Sequence, residues 1–355
     1  MPIKVPDSLP ALEDLLAEQV DVMAQRMALR QDIRPLKLLL LNLMPKKQDT
    51  EVQFARLLGN SPLQIELSLM TTASYTPRHT EAGYLRRFYR RLEDVRNKFF
   101  DALIVTGAPV ERLPFEEVAY WSELTDIMEW SRTNCFRRLG ICWGAQALLY
   151  HFHNVPKYDC GRKLFGVYPH RLNDVNGRLM RGFTDSFPMP VSRYTENRRS
   201  DLEPAGIEVL AESDSCGIGL ARDPSSGDLF VLNHLEYDAD TLGSEYHRDR
   251  EQGMDTAIPH GYFPDDNPDN DPVNFWRPYA FLLMTNWIND LYQATPFDLT
   301  TLVEAEGVQE LLPDKALTAS CVAEADARTQ AAVEACARSV PTTRPQIANI
   351  AGAHC

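Results

Sequence analysis

The sequence predicts an α/β fold, a doubly wound and mostly parallel sheet with helices on both faces. Two observations carry this prediction. Short apolar runs alternate with longer segments of helical spacing over the first half of the chain, and three of these runs end in turns rich in glycine, proline or lysine. Strands that alternate with helices pair in parallel through crossover connections, and the ligand site of such a sheet lies at the carboxyl ends of its strands. We therefore expect the functional residues at these turns.

The individual elements follow from the spacing of apolar residues. In the first half, buried strands are expected over residues 36–43, 102–105 and 139–141, and an alternating strand over 63–70. Helices are expected over 50–58, 80–98 and 115–133. Beyond residue 180, shorter strands are expected over 191–194, 207–211, 217–221 and 229–232, and an aromatic-rich helix over 275–292. Residues 243–278 are polar and proline-rich, which is typical of a loop. The acidic run at 265–272 within it is expected to face solvent, with calcium binding as the alternative.

Composition divides the 355 residues into two parts. Residues 1–302 carry the alternating pattern and are expected to form one catalytic domain, which is large enough to bury a core without disulfides. Residues 303–355 are rich in alanine, threonine and glutamate and then in turn formers, so we expect an appendage that is helical near 316–338 and otherwise disordered.

Charge and cysteine content exclude several classes of protein. The formal net charge is −14, with 50 acidic and 36 basic residues, so the overall field repels a phosphate backbone and nucleic acid is not an expected partner. No stretch approaches the ~18 apolar residues of a spanning helix, so no membrane is expected. Seven cysteines without C-x-x-C spacing fit a reducing compartment, and we expect a cytoplasmic protein. The basic segment 86–96 is either the solvated face of a helix or a patch for an anionic cofactor.

Cys142 is the most informative single residue. It stands between the apolar run that ends at Ile141 and the small residues Gly144, Ala145 and Ala147, so it is expected at a strand-to-helix corner with its sulfur exposed. The amide groups and dipole of a helix N-terminus favour thiolate over thiol, which makes such a cysteine a nucleophile. The alternative is a buried core cysteine, because free cysteine is among the most buried residue types.

His234 and Glu236 are the expected partners of this thiol. His234 follows the strand predicted over 229–232, and Glu236 lies on the same side of an extended chain. A carboxylate there fixes the imidazole tautomer and stabilises the imidazolium, whereas the alternative is a purely structural histidine. The backbone amides of Gly107, in a turn that ends at Pro109, and of Trp143 could form an oxyanion hole.

Six motifs in order give the sequence a specific resemblance over about residues 1–300. They are Asn42-Leu-Met-Pro-Lys-Lys47, Thr106-Gly-Ala-Pro109, Gly140-Ile-Cys-Trp-Gly-Ala-Gln146, Lys163-Leu-Phe-Gly166, Asn233-His-Leu-Glu236 and Asn286-Trp287. The set resembles the homoserine O-acyltransferases of methionine biosynthesis, which have the flavodoxin-like fold of class I glutamine amidotransferases. The last 50 or so residues lie outside the resemblance.

The resemblance implies roles for named residues. Cys142 would be the acyl-thioester nucleophile, His234 the proton acceptor and Glu236 its partner, while Lys163, Ser192 and Arg248 match substrate-contact positions. An arginine grips a carboxylate with two hydrogen bonds, whereas a lysine offers a point charge. Without the resemblance, ion pairs at the surface are the simpler interpretation of Lys163 and Arg248.

The acyl donor is expected to depend on the residue two positions beyond the Gly-Ala-Pro turn. In the succinyl enzymes that this chain resembles, the matching position is glycine, and here it is Glu111. A glutamate fills the room that a succinyl chain needs and repels its carboxylate. The sequence therefore predicts acetyl-CoA as the donor, unless Glu111 turns outward to solvent.

The predicted function is homoserine O-acetyltransferase, a ping-pong enzyme that acetylates Cys142 from acetyl-CoA and passes the acetyl group to the γ-hydroxyl of L-homoserine. The products are O-acetyl-L-homoserine and CoA. No metal or cofactor is expected beyond acetyl-CoA as co-substrate, because a thioester is already activated. A homodimer is possible. The alternatives are homoserine O-succinyltransferase with succinyl-CoA, a glutamine amidotransferase, and a catalytically silent regulatory domain of the same fold.

Overall fold

The computed structural model describes residues 3–5, 22–24, 34–74, 80–173 and 177–302. The strands are β1 (Ile3–Val5), β2 (Val22–Ala24), β3 (Leu36–Leu41), β4 (Ile65–Met70), β5 (Tyr89–Arg90), β6 (Phe100–Val105), β7 (Cys135–Ile141), β8 (Tyr158–Leu172), β9 (Ser186–Glu196), β10 (Glu208–Ser213), β11 (Gly217–Arg222) and β12 (Leu229–Val231). The helices are α1 (Lys47–Leu58), α2 (Ala82–Phe88), α3 (Leu92–Val95), α4 (Trp121–Asn134), α5 (Trp143–His153), α6 (Arg199–Leu202), α7 (Thr241–Glu251) and α8 (Arg277–Ala294). The appendage predicted over 303–355 lies outside the described residues.

A ten-stranded sheet organises the fold, in the order β5-β4-β3-β6-β7-β12-β11-β10-β8-β9. The strands from β5 to β12 pair in parallel, and those from β12 to β9 pair antiparallel. Strands β1 and β2 form a separate parallel pair. The predicted α/β class with a mostly parallel sheet is confirmed, and the antiparallel half is the part that the alternation of strands and helices did not predict.

Strand β3 shows how the sheet separates two apolar layers. Its residues are buried on both faces except Lys37, as expected for a parallel strand covered by helices on each side. Leu38 belongs to the layer that holds Phe54 of α1 and Trp287 of α8. Leu39 belongs to the opposite layer, with Leu124 of α4. The prediction of helices on both faces is therefore confirmed.

Four neighbouring parallel strands, β3, β6, β7 and β12, end at one edge of the sheet. The chain continues from them into Asn42, Thr106, Cys142 and Leu232 respectively. A hydrogen bond joins two of these turns, since the Thr106 hydroxyl accepts the Leu43 N–H at 2.8 Å. The shared edge predicted for the turns is thus observed.

Two element predictions were wrong in detail. The helix predicted over 80–98 is interrupted by β5, because Tyr89 pairs with Leu69 at the sheet edge and buries its ring, which is 4% exposed. The loop predicted over 243–278 contains most of α7, a helix with few apolar residues. The predicted helix over 275–292 corresponds to α8.

Two further results concern ligands and membranes. In the part of the chain that the structure describes, no helix is long and apolar enough to cross a membrane. Among the same residues, no group of three or more histidine, cysteine or acidic side chains is arranged to hold a metal ion, the acidic run at 265–272 included.

Candidate active site

Cys142 lies between β7 and α5 in a backbone conformation that is rare for a residue with a side chain. Its φ is 49° and its ψ is −115°. Two glycines permit this sharp corner, because a Cβ at Gly144 would lie 2.4 Å from the carbonyl oxygen of Val105, and one at Gly140 would lie 2.5 Å from the Cα of Ala145. Such backbone strain costs on the order of 1–3 kcal/mol and is concentrated at functional sites.

The predicted strand-to-helix corner at Cys142 is confirmed, but the prediction that its sulfur is exposed is wrong. Cys142 is only 7% exposed, and the His234 side chain interacts with it by charge and by a hydrogen bond. Burial alone does not distinguish it, because Cys135 and Cys216 are also buried free cysteines. Burial raises the pKa of the Cys135 thiol far above its usual value, so that residue is an inert core cysteine.

His234 follows β12 and is held in place from three sides. Its backbone N–H donates to the carbonyl oxygen of Pro190 on β9 at 2.9 Å. Its Nδ1 lies 2.7 Å from Oε1 of Glu236, and its ring stacks on Tyr237 with centroids 4.1 Å apart. The structure thus brings together Cys142, His234 and Glu236 as a buried chain of thiol, imidazole and carboxylate.

Opposing effects act on the His234 imidazole. Burial lowers its pKa, but the negative charges of Cys142 and Glu236 and the hydrogen bonds to both outweigh burial, so the pKa lies well above its usual value. The raised pKa favours the protonated imidazolium form of His234 beside the Cys142 sulfur.

The residues expected to form an oxyanion hole lie beside the thiol. A Cβ at Gly107 would lie 3.5 Å from Cβ of Cys142 and 3.6 Å from Cε1 of His234, so this turn borders both groups. Trp143 is the first residue of α5, where amide groups have no partner within the helix. Gly107 therefore borders the thiol and the imidazole, and Trp143 directly follows Cys142 in the chain.

The predicted substrate-contact residues converge on helix α7. The Lys163 ammonium lies 2.6 Å from Oε1 of Glu245 and 2.8 Å from Oδ2 of Asp249. The Ser192 hydroxyl donates to the same Glu245 oxygen at 2.8 Å. Arg248 donates to Oδ1 of Asp249 at 2.7 Å, and its side chain stays 57% exposed. Lys163 and Arg248 are therefore both ion-paired. Their partners, Glu245 and Asp249, belong to one shared cluster on α7, so these are not separate ion pairs at the surface.

Sequence reasoning missed the two carboxylates that organise this cluster. Glu245 and Asp249 stand four residues apart, which places them on one side of a helix. That spacing was available in the sequence, but it could only be used once the segment was recognised as a helix.

Glu111 points toward the site and not into solvent. Its Oε2 accepts the backbone N–H of Tyr194 on β9 at 3.0 Å. Burial raises the pKa of Glu111, although the Tyr194 N–H and the charges of His234 and Arg193 oppose the rise. The outward orientation that would have made Glu111 uninformative is not observed.

A buried arginine links the two loops that carry the thiol and the imidazole. Arg193 donates through Nε to Oδ1 of Asn233 at 3.2 Å and through Nη1 to the carbonyl oxygen of Thr195 at 2.7 Å. The Thr195 hydroxyl in turn donates to Oε1 of Gln146 on α5 at 3.0 Å. Asn233 precedes His234 in the chain, so the network runs from the histidine loop to the helix that begins after Cys142.

Comparison with known proteins identifies the family of this chain. Residues 2–297 match the family described as homoserine O-succinyltransferase. The chain belongs to this family. It is therefore an acyltransferase, which decides against the glutamine amidotransferase alternative.

Similar curated proteins come from several bacteria. The chain is 50% identical over 300 residues to a homoserine O-acetyltransferase of Hyphomonas neptunium, covering 84% of this chain and 98% of that protein. It is 49% identical over 299 residues to the one of Agrobacterium fabrum, covering 84% and 97%. With that of Brevibacillus brevis it shares 48% over 301 residues, covering 84% and 98%.

Among solved structures, the chain is similar to a glutamine amidotransferase of Thermotoga maritima. The TM-score is 0.49 at 12% identity, over 74% of this chain and 100% of that one.

Proposed function

We propose that the protein transfers an acetyl group from acetyl-CoA to the γ-hydroxyl of L-homoserine, through a thioester on Cys142. The observation that carries this proposal is the buried chain of Cys142, His234 and Glu236 at the sheet edge, with Glu111 turned toward the same site. Relatives that share 50% and 49% of their aligned residues with this chain are named homoserine O-acetyltransferase, which supports homoserine as the acceptor and acetyl as the transferred group.

In the first half-reaction, the Cys142 thiolate attacks the carbonyl carbon of the thioester. The negative charge that develops on the carbonyl oxygen would be stabilised by the amides of Gly107 and Trp143. Collapse of the tetrahedral adduct breaks the bond to the CoA sulfur, and the His234 imidazolium gives its proton to the departing thiolate. CoA leaves, and Cys142 carries the acetyl group.

The second half-reaction needs His234 as a base. Acetylation removes the negative charge of Cys142, which is one of the causes that raise the pKa of His234, while burial continues to lower it. The imidazole that results can accept the γ-hydroxyl proton as the homoserine oxygen attacks the acetyl-enzyme. Collapse of this second adduct breaks the bond between the acetyl carbon and the Cys142 sulfur, which releases O-acetylhomoserine and regenerates the thiolate beside the imidazolium. The hydrogen bond from Nδ1 to Glu236 keeps the other nitrogen free for this task.

The cluster on α7 suits an amino-acid substrate, which carries one charge of each sign. Arg248 is partly exposed and has a guanidinium that matches an α-carboxylate with two hydrogen bonds. Glu245 supplies a negative charge beside Lys163 and Ser192 for the α-ammonium. Both charges of homoserine would thus meet a complementary group.

The donor assignment rests on Glu111. A carboxylate that reaches into the site fills space and repels a second carboxylate, which favours acetyl over succinyl. The alternative donor is succinyl-CoA, since the family that the chain matches is described by that activity.

One assay of purified protein tests the proposal. Intact-protein mass spectrometry with acetyl-CoA and no homoserine should show one added acetyl group, and addition of homoserine should release O-acetylhomoserine. Cys142→Ser should take up no acetyl group and lose turnover while remaining folded, because a serine hydroxyl is far less ionised at neutral pH. Near-normal turnover of folded Cys142→Ser protein would refute the covalent mechanism.

The same experiment includes an internal control and a donor comparison. Cys216→Ser should acetylate and turn over as the wild type does, because Cys216 is a buried cysteine whose sulfur lies 3.5 Å from Nε2 of His170 and is not the proposed nucleophile. Replacing acetyl-CoA by succinyl-CoA in the wild-type assay distinguishes the two donors directly. Turnover with neither donor would favour a silent regulatory domain.

A further inference from the structure

Two buried polar atoms without a protein hydrogen-bond partner belong to residues that line the same small cavity, which also includes residues of β7 and β12. One is Oε2 of Glu236, the carboxylate oxygen that does not contact His234. The other is Nε1 of Trp287 on α8. Glu236 is 9% exposed and Trp287 is 1% exposed, so bulk solvent does not satisfy either group.

The cavity has the size and lining that a single water molecule requires. Its volume is about 20 Å³, above the roughly 10–15 Å³ needed to hold one water. Apart from Glu236 and Trp287, its walls are apolar, formed by residues of α1, α8, β7 and β12 and by Leu235. A cavity with only apolar walls stays dry, whereas this one presents a hydrogen-bond donor and an acceptor.

The chemistry of the two atoms is complementary. An indole Nε1 can only donate, and an ionised carboxylate oxygen can only accept. They do not form a direct hydrogen bond, since both atoms remain without a partner. A water molecule between them can accept from the indole and donate to the carboxylate, which satisfies both groups together.

We propose that this cavity is a binding site for one structural water molecule, and that Trp287 is a positioning residue that acts through this water on Glu236. Glu236 would then be held at both oxygens, by His234 at Oε1 and by the water at Oε2. A carboxylate held in this way cannot rotate about its terminal torsion, so it keeps Nδ1 of His234 in the orientation that the reaction requires.

The role of Trp287 in catalysis rests on the proposed function, whereas the water site itself does not. The water site is tested by a crystal structure of the wild-type protein at a resolution that shows ordered water. We expect density for one water within hydrogen-bond distance of both Nε1 of Trp287 and Oε2 of Glu236. An unoccupied cavity, or a water that contacts only one of these atoms, would overturn the proposal.

The positioning role is tested by Trp287→Phe, with Met284→Leu as the matched control. The phenylalanine keeps an aromatic ring in the cavity wall but removes the only N–H, while Met284 lines the same cavity without a hydrogen-bonding group of this kind. We expect Trp287→Phe to lower kcat about tenfold with the KM for homoserine changed less than about twofold, and Met284→Leu to retain kcat. A merely structural role for Trp287 would lower the melting temperature of Trp287→Phe and leave its kcat per folded molecule unchanged, which would refute the positioning role.

These outcomes are separable from a failure of the proposed function. If Cys142 is not the nucleophile, acetylation of the wild-type protein fails in the mass-spectrometric assay, whatever the crystal structure shows in the cavity. If the water is absent, acetylation and its dependence on Cys142 remain as they are, and only the link from Trp287 to Glu236 is lost.

Discussion

The Glu111 carboxylate gives the sharpest test of how this enzyme selects its acyl donor. Two substitutions separate its two effects. Glu111→Gln removes the charge but keeps the size of the side chain and an oxygen that can accept the Tyr194 N–H. Glu111→Gly removes both charge and bulk. If the carboxylate excludes succinyl-CoA by repulsion, most of the gain in succinyl transfer should already appear in Glu111→Gln.

The size of the effect follows from the position of Glu111. Its side chain is half-buried and reaches from the loop after β6 to the backbone of β9. Two negative charges about 6 Å apart in surroundings of effective dielectric constant about 20 repel by about 3 kcal/mol, and partial exposure reduces this. We therefore expect kcat/KM for succinyl-CoA relative to acetyl-CoA to rise by one to two powers of ten, the ratio that about 1.4–2.8 kcal/mol produces.

The assay compares kcat/KM for both donors in the wild type, the two Glu111 variants and the control Glu117→Gln, an exposed carboxylate on the same loop. The KM for homoserine should change little, because its proposed contacts lie on α7. If the wild type already prefers succinyl-CoA, or if the donor ratio is the same in all four proteins, Glu111 does not select the donor.

The same residue predicts a pH dependence of donor selection. Burial raises the pKa of Glu111, so the carboxylate accepts a proton at a higher pH than an exposed glutamate would. As the pH falls through this raised value, the charge and its repulsion disappear. Discrimination against succinyl-CoA should therefore weaken at the acid end of the stable range in the wild type but stay constant in Glu111→Gln. A parallel pH profile in both proteins would contradict the electrostatic explanation.

Three further predictions concern the rest of the site. His234→Asn should lower kcat at least ~100-fold, more than Glu236→Gln does. Glu236→Gln should move the alkaline limb of the pH profile to lower pH, because the Glu236 charge helps to raise the pKa of His234. A nearly unimpaired His234→Asn enzyme would exclude His234 as the base. Glu245→Gln should raise the KM for homoserine about tenfold while leaving acetylation of Cys142 by acetyl-CoA intact, as rapid-quench mass spectrometry can show. Arg193→Lys should lower the free energy of unfolding by about 3 kcal/mol, because it breaks a buried network that a lysine cannot complete. Denaturant titration measures this loss, and a loss well below this value would contradict the prediction.

The parts of the structure that could be predicted from sequence depend on local patterns. Buried parallel strands are continuous apolar runs, and β3 and β6 are such runs with turns directly after them. Cys142 could be placed because small residues on both sides permit a tight strand-to-helix corner. His234 and Glu236 could be paired because only one residue separates them.

The remaining parts depend on contacts between distant segments, which no local pattern contains. Strand β8 contains Gly161, Gly166 and Pro169, residues that argue against a long strand until its pairing with β9 is known. Tyr89 has good helical spacing with its neighbours, but pairing with β4 and a hydrogen bond from Asn42 to its hydroxyl outweigh that preference. The link between Arg193 and Asn233 joins residues 40 positions apart in the chain.

Helix α7 shows why a functional segment can be harder to predict than a structural one. An amphipathic helix reveals itself by an apolar face, and α7 has little of one, since Leu242 and Gly243 are its only buried residues besides Asp249. The side chains that it contributes to the site, Glu245, Arg248 and Asp249, are charged, and Asp249 is buried by its ion pairs with Lys163 and Arg248. The charged residues that we propose bind the substrate are thus the same residues that deprive the helix of an apolar face. The segment therefore has the composition of a loop because its buried contacts are ionic. Only the contacts of Lys163 on β8 and Ser192 on β9 with Glu245 show which side of the helix packs against the sheet.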